Sequence, residues 1–231
     1  MTTRWSVVAR ATASVEESQA ALEELCRAYW FPVYAYVRKH DCGAADAEDV
    51  TQEFFAEITH SQFLQRADPN QGRFRSYLLA SVRKRILNAR TRAQALKRGG
   101  GLEIVSIDEP QAEAQFRDVN DPALDPAQAY ELSWALTVLQ RTRQRLLREQ
   151  TAQGRLAEFE KFEAFLSAPP SEGEYAAVAA ALGISRNSVA VGIHRLGRRY
   201  RELLRDEVAQ TVAEPGEIDE ELGHLLKVLS R

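Results

Sequence analysis

Apolar residues recur at spacings of three and four along most of the chain, the period of a helix with one buried face. In the stretch 44–59, AADAEDVTQEFFAEIT, Ala47, Val50, Phe54 and Ile58 form one stripe. In 74–98, Leu78, Val82, Ile86, Ala89, Ala93 and Leu96 form another. In 186–209 the stripe is Val189, Ile193, Leu196, Tyr200 and Leu203. The pattern predicts helices over 15–39, 44–59, 74–98, 126–150, 155–166, 174–182, 186–209 and 218–229. Strand-like alternation is confined to 102–107. The segment 99–125 opens on Gly99-Gly100-Gly101, carries Pro110 and Pro122, and is rich in Asp, Glu and Gln. Such a segment reads as a flexible linker. The expected fold is therefore all-α, with two small helical domains, 1–98 and 126–231, joined by the linker 99–125.

A length of 231 residues suits one large or two small domains. The apolar runs are too short to span a bilayer. The opening stretch MTTRWSVVAR lacks the apolar core and small-residue cleavage site of a secretory signal. Cys26 and Cys42 alone make neither a disulfide framework nor a four-ligand zinc site. A cytoplasmic protein is expected.

The net charge of −3 conceals a strong segregation. Between Asp41 and Gln65 there is no Lys or Arg, and the acids are Asp41, Asp46, Glu48, Asp49, Glu53 and Glu57. Between Pro69 and Leu102 there is no acid, while Arg73, Arg75, Arg83, Lys84, Arg85, Arg90, Arg92, Lys97 and Arg98 are basic. Arginine also dominates 186–205, where Glu202 is the single acid, and acids dominate again from Asp206. Two separate basic segments point to two contacts with a polyanion.

On the acidic helix, Asp46, Asp49, Glu53 and Glu57 line up beside the apolar stripe. That line can be a solvated face, a metal site, an acid–base pair or a docking face for a basic protein surface. The spacing alone leaves these open, although no His or Cys joins the carboxylates. Thr51 falls toward the apolar stripe, where a phosphate would be costly to bury. It is read as structural, with phosphorylation as a minor alternative.

The basic helix suits phosphate. Phe74 and Tyr77 at its start suit stacking on unpaired bases, or else serve as core. Further on, YAAVAAALGISRNSVAVGIHRL over 175–196 has the form of a helix-turn-helix. Gly183 stands in the turn and Ser185 can cap the second helix. Arg186, Asn187 and Ser188 then lie where base edges are reached. Arg198, Arg199 and Arg201 lie further along, where they suit phosphates, and His194, Arg195, Arg198, Arg201 and Arg205 lie opposite the apolar stripe. His40, His60 and His224 have no partner at ligand or catalytic spacing, and surface roles are expected for them. There is no Gly-rich phosphate loop, nucleophile elbow or CxxC, so no catalytic residue, metal or cofactor is expected.

The order of these pieces resembles the extracytoplasmic-function sigma factors of bacterial RNA polymerase, of the sigma-70 family. The resemblance spans roughly 22–98 and 128–208. Asp46-Ala47-Glu48-Asp49-Val50-Thr51-Gln52-Glu53-Phe54-Phe55 is similar to the family's region 2 signature. Phe74-Arg75-Ser76-Tyr77-Leu78-Leu79 is similar to its F/R-x-W-L stretch, and Gly183-Ile184-Ser185 with 189–196 to its region 4 helix-turn-helix. The resemblance implies a region 2 helical bundle over 1–98 and a region 4 domain over 126–231. It implies that Asp46, Glu48, Asp49, Gln52 and Glu53 dock on the β′ coiled coil of the polymerase core. It implies −10 element contacts by Arg73, Phe74, Arg75, Tyr77, Arg83 and Lys84, with a flipped base held by the loop 65–73. It implies −35 contacts by Ser185, Arg186, Asn187, Ser188, Ala190, His194, Arg195 and Arg198, and a region 4 contact with the β flap. An anti-sigma factor, or a Ser/Thr kinase acting on Thr51, is a further implied partner.

The sequence departs from the family at several positions. Ala190 and Gly192 stand where many members carry Lys and Arg, and Gly192 weakens a helix by roughly 1 kcal/mol relative to Ala. Tyr77 replaces the usual Trp. Helical material at 134–166 and the acidic segment 206–231 exceed a minimal member. Leu222, Leu225, Leu226 and Leu229 form a stripe in that segment, expected to pack on the second domain; a flap covering a basic DNA face is the alternative. Two other function classes compete with the sigma reading. One is a helix-turn-helix regulator acting without polymerase, which leaves the first domain idle. The other is a nucleic-acid enzyme using the carboxylates with a metal.

Overall fold

The computed structural model of the chain describes residues 15–60, 63–68, 72–93 and 109–230. Among them every regular element is helical, so the fold is all-α. The helices are α1 (Val15–Arg38), α2 (Ala44–His60), α3 (Phe74–Ala93), α4 (Glu109–Val119), α5 (Pro126–Ala152), α6 (Leu156–Phe162), α7 (Glu172–Leu182), α8 (Arg186–Ala209) and α9 (Ile218–Leu229). Short 3-10 turns occupy Leu64–Arg66, Glu163–Phe165 and Pro215–Glu217. The strand-like alternation at 102–107 and the helix end at 94–98 lie outside the described residues. None of the described helices is by itself long and apolar enough to cross a membrane.

The chain divides into two compact units, one of Met1–Thr137 with Val208–Arg231 and one of Val138–Glu207. This is a different partition from the expected break at 99–125. The reason lies in α4, within the expected linker. Ala112, Phe116 and Val119 recur at helical spacing and are buried. The helix packs on α1 and α2. Phe116 meets Tyr34 edge-on at 6.3 Å, and the Arg38 guanidinium lies 4.8 Å from the Phe116 ring centre. Arg38 Nε donates to Glu113 Oε1 at 2.6 Å, and the Tyr34 hydroxyl donates to the same oxygen at 2.6 Å. Three apolar residues among acids and glutamines look solvated in a sequence window, yet they suffice once Arg38 supplies the counter-charge.

In the first unit α1 is the central element. From Ala28 to Val37 nearly every side chain is buried, so this stretch is covered on all sides rather than along one stripe. Trp30 stacks on Tyr34 at 5.1 Å, and Tyr29 meets Phe74 of α3 edge-on at 5.5 Å. Cys26 lies in this core, and burial pushes its thiol up to about 11, which keeps it protonated and inert.

The second unit is built on Leu146, Phe159, Phe162, Val178, Ala179, Val189, Leu196 and Leu203. Between α7 and α8 the chain turns through 99°. Gly183 makes the turn in the left-handed region at φ 65°, where a Cβ would be strained. Its N–H donates to Ala180 O, and the Ile184 N–H reaches back to Ala179 O at 3.1 Å. Ser185 Oγ then accepts the Ser188 N–H at 3.1 Å, capping α8. At the start of α7, Glu174 accepts the Ser171 N–H and hydroxyl, both at 2.7 Å, which holds its carboxyl below the usual range.

Gly192 has a packing reason that its helix propensity conceals. A Cβ at this position would lie 2.5 Å from Phe162 Cε2 and 2.9 Å from Cζ. The backbone of α8 is thus in close contact with a buried ring. Ala would gain up to about 1 kcal/mol of helix propensity. Overpacking a filled core costs about 1–3 kcal/mol, so the clash wins. Gly192→Ala is expected to lower stability and the melting temperature, read by calorimetry, rather than to raise them.

A second expectation concerns α4. Glu113→Gln should lower the urea midpoint at pH 7 by the equivalent of about 1–3 kcal/mol, because Arg38 loses a partly buried partner. Hydrogen bonding from Arg38 holds the Glu113 carboxyl below its ordinary value of 4.5. The contribution is therefore complete above that ordinary value and is lost as pH falls through the lowered one. The difference between wild type and variant should shrink below pH 4.5, which paired urea titrations at pH 7 and in the acid range would measure.

Candidate nucleic-acid and protein interface

On α2 the residue pattern separates two faces as expected. Ala47, Thr51, Phe54, Phe55 and Ile58 are buried, while Asp46, Asp49, Glu53 and Glu57 are exposed. Glu48 and Gln52 are half-buried, and Gln52 Nε2 donates to Glu48 Oε1 at 2.9 Å. The stripe is continuous but not uniformly free. Arg85 of α3 reaches across to Glu53 at 2.6 Å and also pairs with Glu57. Asp46 and Asp49 thus form the half of the stripe outside that clasp. Thr51 is fully buried and donates to Ala47 O at 2.7 Å, so this structure does not present it to a kinase. Among the described residues no group of three His, Cys, Asp or Glu converges as a metal site.

The residues expected to meet DNA from α3 divide sharply. Arg83 and Lys84 are exposed. Tyr77 is half-buried, its hydroxyl donating to Phe63 O at 2.9 Å and its ring 4.9 Å from that of Phe63. Burial raises its phenol above the ordinary value. Phe74 is buried against Tyr29, so here it is a core residue and not a stacking platform. Arg75 is likewise internal. Its guanidinium lies 4.4 Å from the Trp134 ring centre, Nε pairs with Glu131 Oε2 at 3.1 Å, and Nη1 pairs with Glu221. Arg73 pairs with Glu221 at 2.9 Å and with Glu220 at 3.1 Å. The physical reason is that the first turn of α3 is roofed by α9 and by the start of α5. The Tyr130 hydroxyl completes the roof by donating to Arg75 O at 3.0 Å. Residues 69–71 of the expected base-holding loop lie outside the described residues.

Those partners were missed, and one signal was present for Glu221. It stands in register with Ile218, Leu225 and Val228, an acid within the buried stripe of α9. The stripe expected from leucines alone was out of phase, since Leu226 is 63% exposed. His224 was also misplaced: its Nε2 lies 2.9 Å from Glu131 Oε2, within the same roof.

In the second unit, Arg186, Asn187 and Ser188 at the start of α8 are exposed, as are Ser185, His194, Arg195 and Arg198. Ser185 and Ser188 hydroxyls lie 2.9 Å apart, so part of their capacity is spent on the cap. Ala190 is half-buried and, with Glu172, Tyr175, Arg186 and Asn187, lines an open recess of about 240 Å³. Arg199, expected to meet phosphate, is held by both oxygens of Glu149 at 2.8 Å and by Glu202 at 2.9 Å. Hydrogen bonding from Arg199 also holds the Glu149 carboxyl below its ordinary value. What remains is a helix start bearing polar and cationic side chains, with cations continuing along its outer side. That arrangement suits a major groove.

Residues 19–96 match the family model of sigma-70 region 2, about a third of the chain. The matched segment contains the whole acidic stripe of α2 and all of α3. No curated protein and no solved structure matches the chain significantly.

Proposed function

We propose that this chain, which carries a sigma-70 region 2 segment over residues 19–96, is an alternative sigma factor of the extracytoplasmic-function type. Region 2 of that family acts in promoter recognition with RNA polymerase core, and it is not a catalytic module. The observation that carries the reading is the placement of exposed carboxylates at Asp46 and Asp49, with Glu53 beside them, on the region 2 helix of the matched segment. Asp46, Glu48, Asp49, Gln52 and Glu53 would dock on a basic surface of the β′ coiled coil. Rim charges of this kind set association rate and partner choice more than raw affinity.

Among the described side chains of α3, Arg83 and Lys84 would be available to promoter DNA around the −10 element. Phe74 would serve from the core, positioning Tyr77 from beneath. The second unit would read the −35 element as duplex through α8. Arg186 and Asn187 would reach base edges, and His194, Arg195 and Arg198 would lie along the backbone. Support for that half comes from the 99° turn, the Gly183 and Ser185 caps and the exposed cations. Contact with the β flap, cytoplasmic residence, and control by an anti-sigma factor or kinase belong to the same reading.

Co-elution with bacterial core polymerase on gel filtration tests it. The wild type should co-elute, and Asp49→Arg/Glu53→Arg should lose the complex while keeping its circular dichroism and its binding to duplex DNA. Two charge reversals that set like charges against a basic surface should weaken the complex by at least tenfold, since like-charge juxtaposition is costly and slows association. Co-elution unaffected by the double reversal would move the docking face elsewhere. A wild type that binds duplex but never the core would favour the regulator that acts without polymerase.

A further inference from the structure

Arg73 and Arg75 flank the first residue of α3, and four carboxylates or ring faces compete for their guanidinia. Glu221, fully buried, pairs with both. Glu220 pairs with Arg73 at 3.1 Å while remaining 77% exposed. Glu131 holds Arg75 from α5, and Trp134 covers its face. A carboxylate and a phosphate diester present the same chemistry to an arginine fork, two anionic oxygens in one plane. Two consecutive glutamates on α9 therefore occupy both terminal nitrogens of Arg73, and Glu221 also takes Nη1 of Arg75 beside Glu131, positions that a phosphate oxygen could fill instead.

The other properties of α9 fit a removable occupant. It follows a turn-rich connection, 210–217, that includes Pro215 and Gly216. Its apolar hold is short, namely Ile218, Leu225 and Val228. Its outer end, Glu220, stands in water, so an incoming polyanion can compete for Arg73 first and for Arg75 after it. Arg75 also keeps Glu131 and Trp134 when α9 leaves, so it is not stranded as an uncompensated buried charge. Beyond the clasp, the exposed Arg83 and Lys84 continue the positive potential along the same helix.

We propose that α9 is an intramolecular mimic of nucleic-acid backbone, autoinhibiting the α3 surface by occupying Arg73 and Arg75 with Glu220 and Glu221, and that its release opens a phosphate-binding site for single-stranded DNA. The proposal rests on the promoter-binding reading for its biological meaning. Its chemistry is independent of polymerase, so the two can fail separately.

The test is fluorescence anisotropy of a labelled 20-nucleotide single-stranded DNA of mixed sequence, titrated with the full chain over a series of salt concentrations without polymerase. Glu220→Gln/Glu221→Gln should bind at least fivefold more tightly than wild type at low salt. Its log K against log salt should steepen by about 1.4, the contribution of two added phosphate contacts on a single strand. Adding Arg73→Ala to that variant should remove about half of the steepening. Glu220→Lys serves as the second variant, since its side chain is 77% exposed and Glu221 remains paired with both arginines. It should raise affinity with an unchanged unfolding transition. A folded double variant with wild-type affinity and slope would overturn the proposal. If the double variant loses its cooperative transition, Glu220→Lys decides: a gain removed by Arg73→Ala supports the mimic, and no gain overturns it. Failure of the wild type to bind polymerase in the co-elution experiment, with the DNA gain intact, would remove the sigma reading and leave the clasp standing.

Discussion

A guanidinium withdrawn from water must find carboxylates, and much of the first unit is arranged around that requirement. Arg75 follows the buried Phe74 at the start of α3, and Trp134, Glu131 and Glu221 cover it, so it is kept from solvent while α9 stays in place. Its charge is met by Glu131 and Glu221, which come from residues far apart in the chain. A buried ion pair of this sort adds little net stability over apolar packing, but breaking one side of it is expensive. It therefore acts chiefly on specificity: α9 and the start of α5 have one register that satisfies both carboxylates. Trp134, Tyr130 and His224 then close over the same point.

The same rule recurs at lower burial elsewhere. Arg38 with Glu113 fastens α4 to the first unit, and Arg199 with Glu149 fastens α8 to α5 within the second. Arg141 and Arg145 meet the buried Glu207. Blocks of like charge along the chain, which look like surfaces for outside partners, are thus partly consumed inside it. Among the described side chains of these blocks, the charges left at the surface include Asp46 and Asp49 on α2, Arg83 and Lys84 on α3, and exposed cations of α8. On the proposed function, region 2 would draw on the first two sets, and a groove-reading helix on the third.

Helix positions were legible because periodicity reports local geometry. Every helix expected within the described residues is present, and the turn at Gly183 with the cap at Ser185 follows from residues that few other conformations accommodate. The helix expected over 155–166 is instead α6 followed by a 3-10 turn, a local tightening that a pattern of apolar residues does not encode. The face of α2 was also legible, since Thr51 lies buried as its phase required. Less was legible where a polar residue entered an apolar stripe. Glu221 shifted the phase of α9, and Gly192 read as a weak helix former until Phe162 was seen against it.

The sequence by itself determined the all-α class, the bounds of most described helices to within a few residues, the Gly183 turn with its Ser185 cap, and the acidic stripe, but not α4. Each of these depends on neighbours within about a dozen positions, where side-chain spacing and backbone preference act directly. Only the tertiary structure decided which charges remain available. Whether Arg73 faces a phosphate or Glu220, and whether Glu53 faces a partner or Arg85, depends on residues 147 and 32 positions away. No local pattern carries that information, because a charge's partner is chosen by the cost of desolvation once the core has closed.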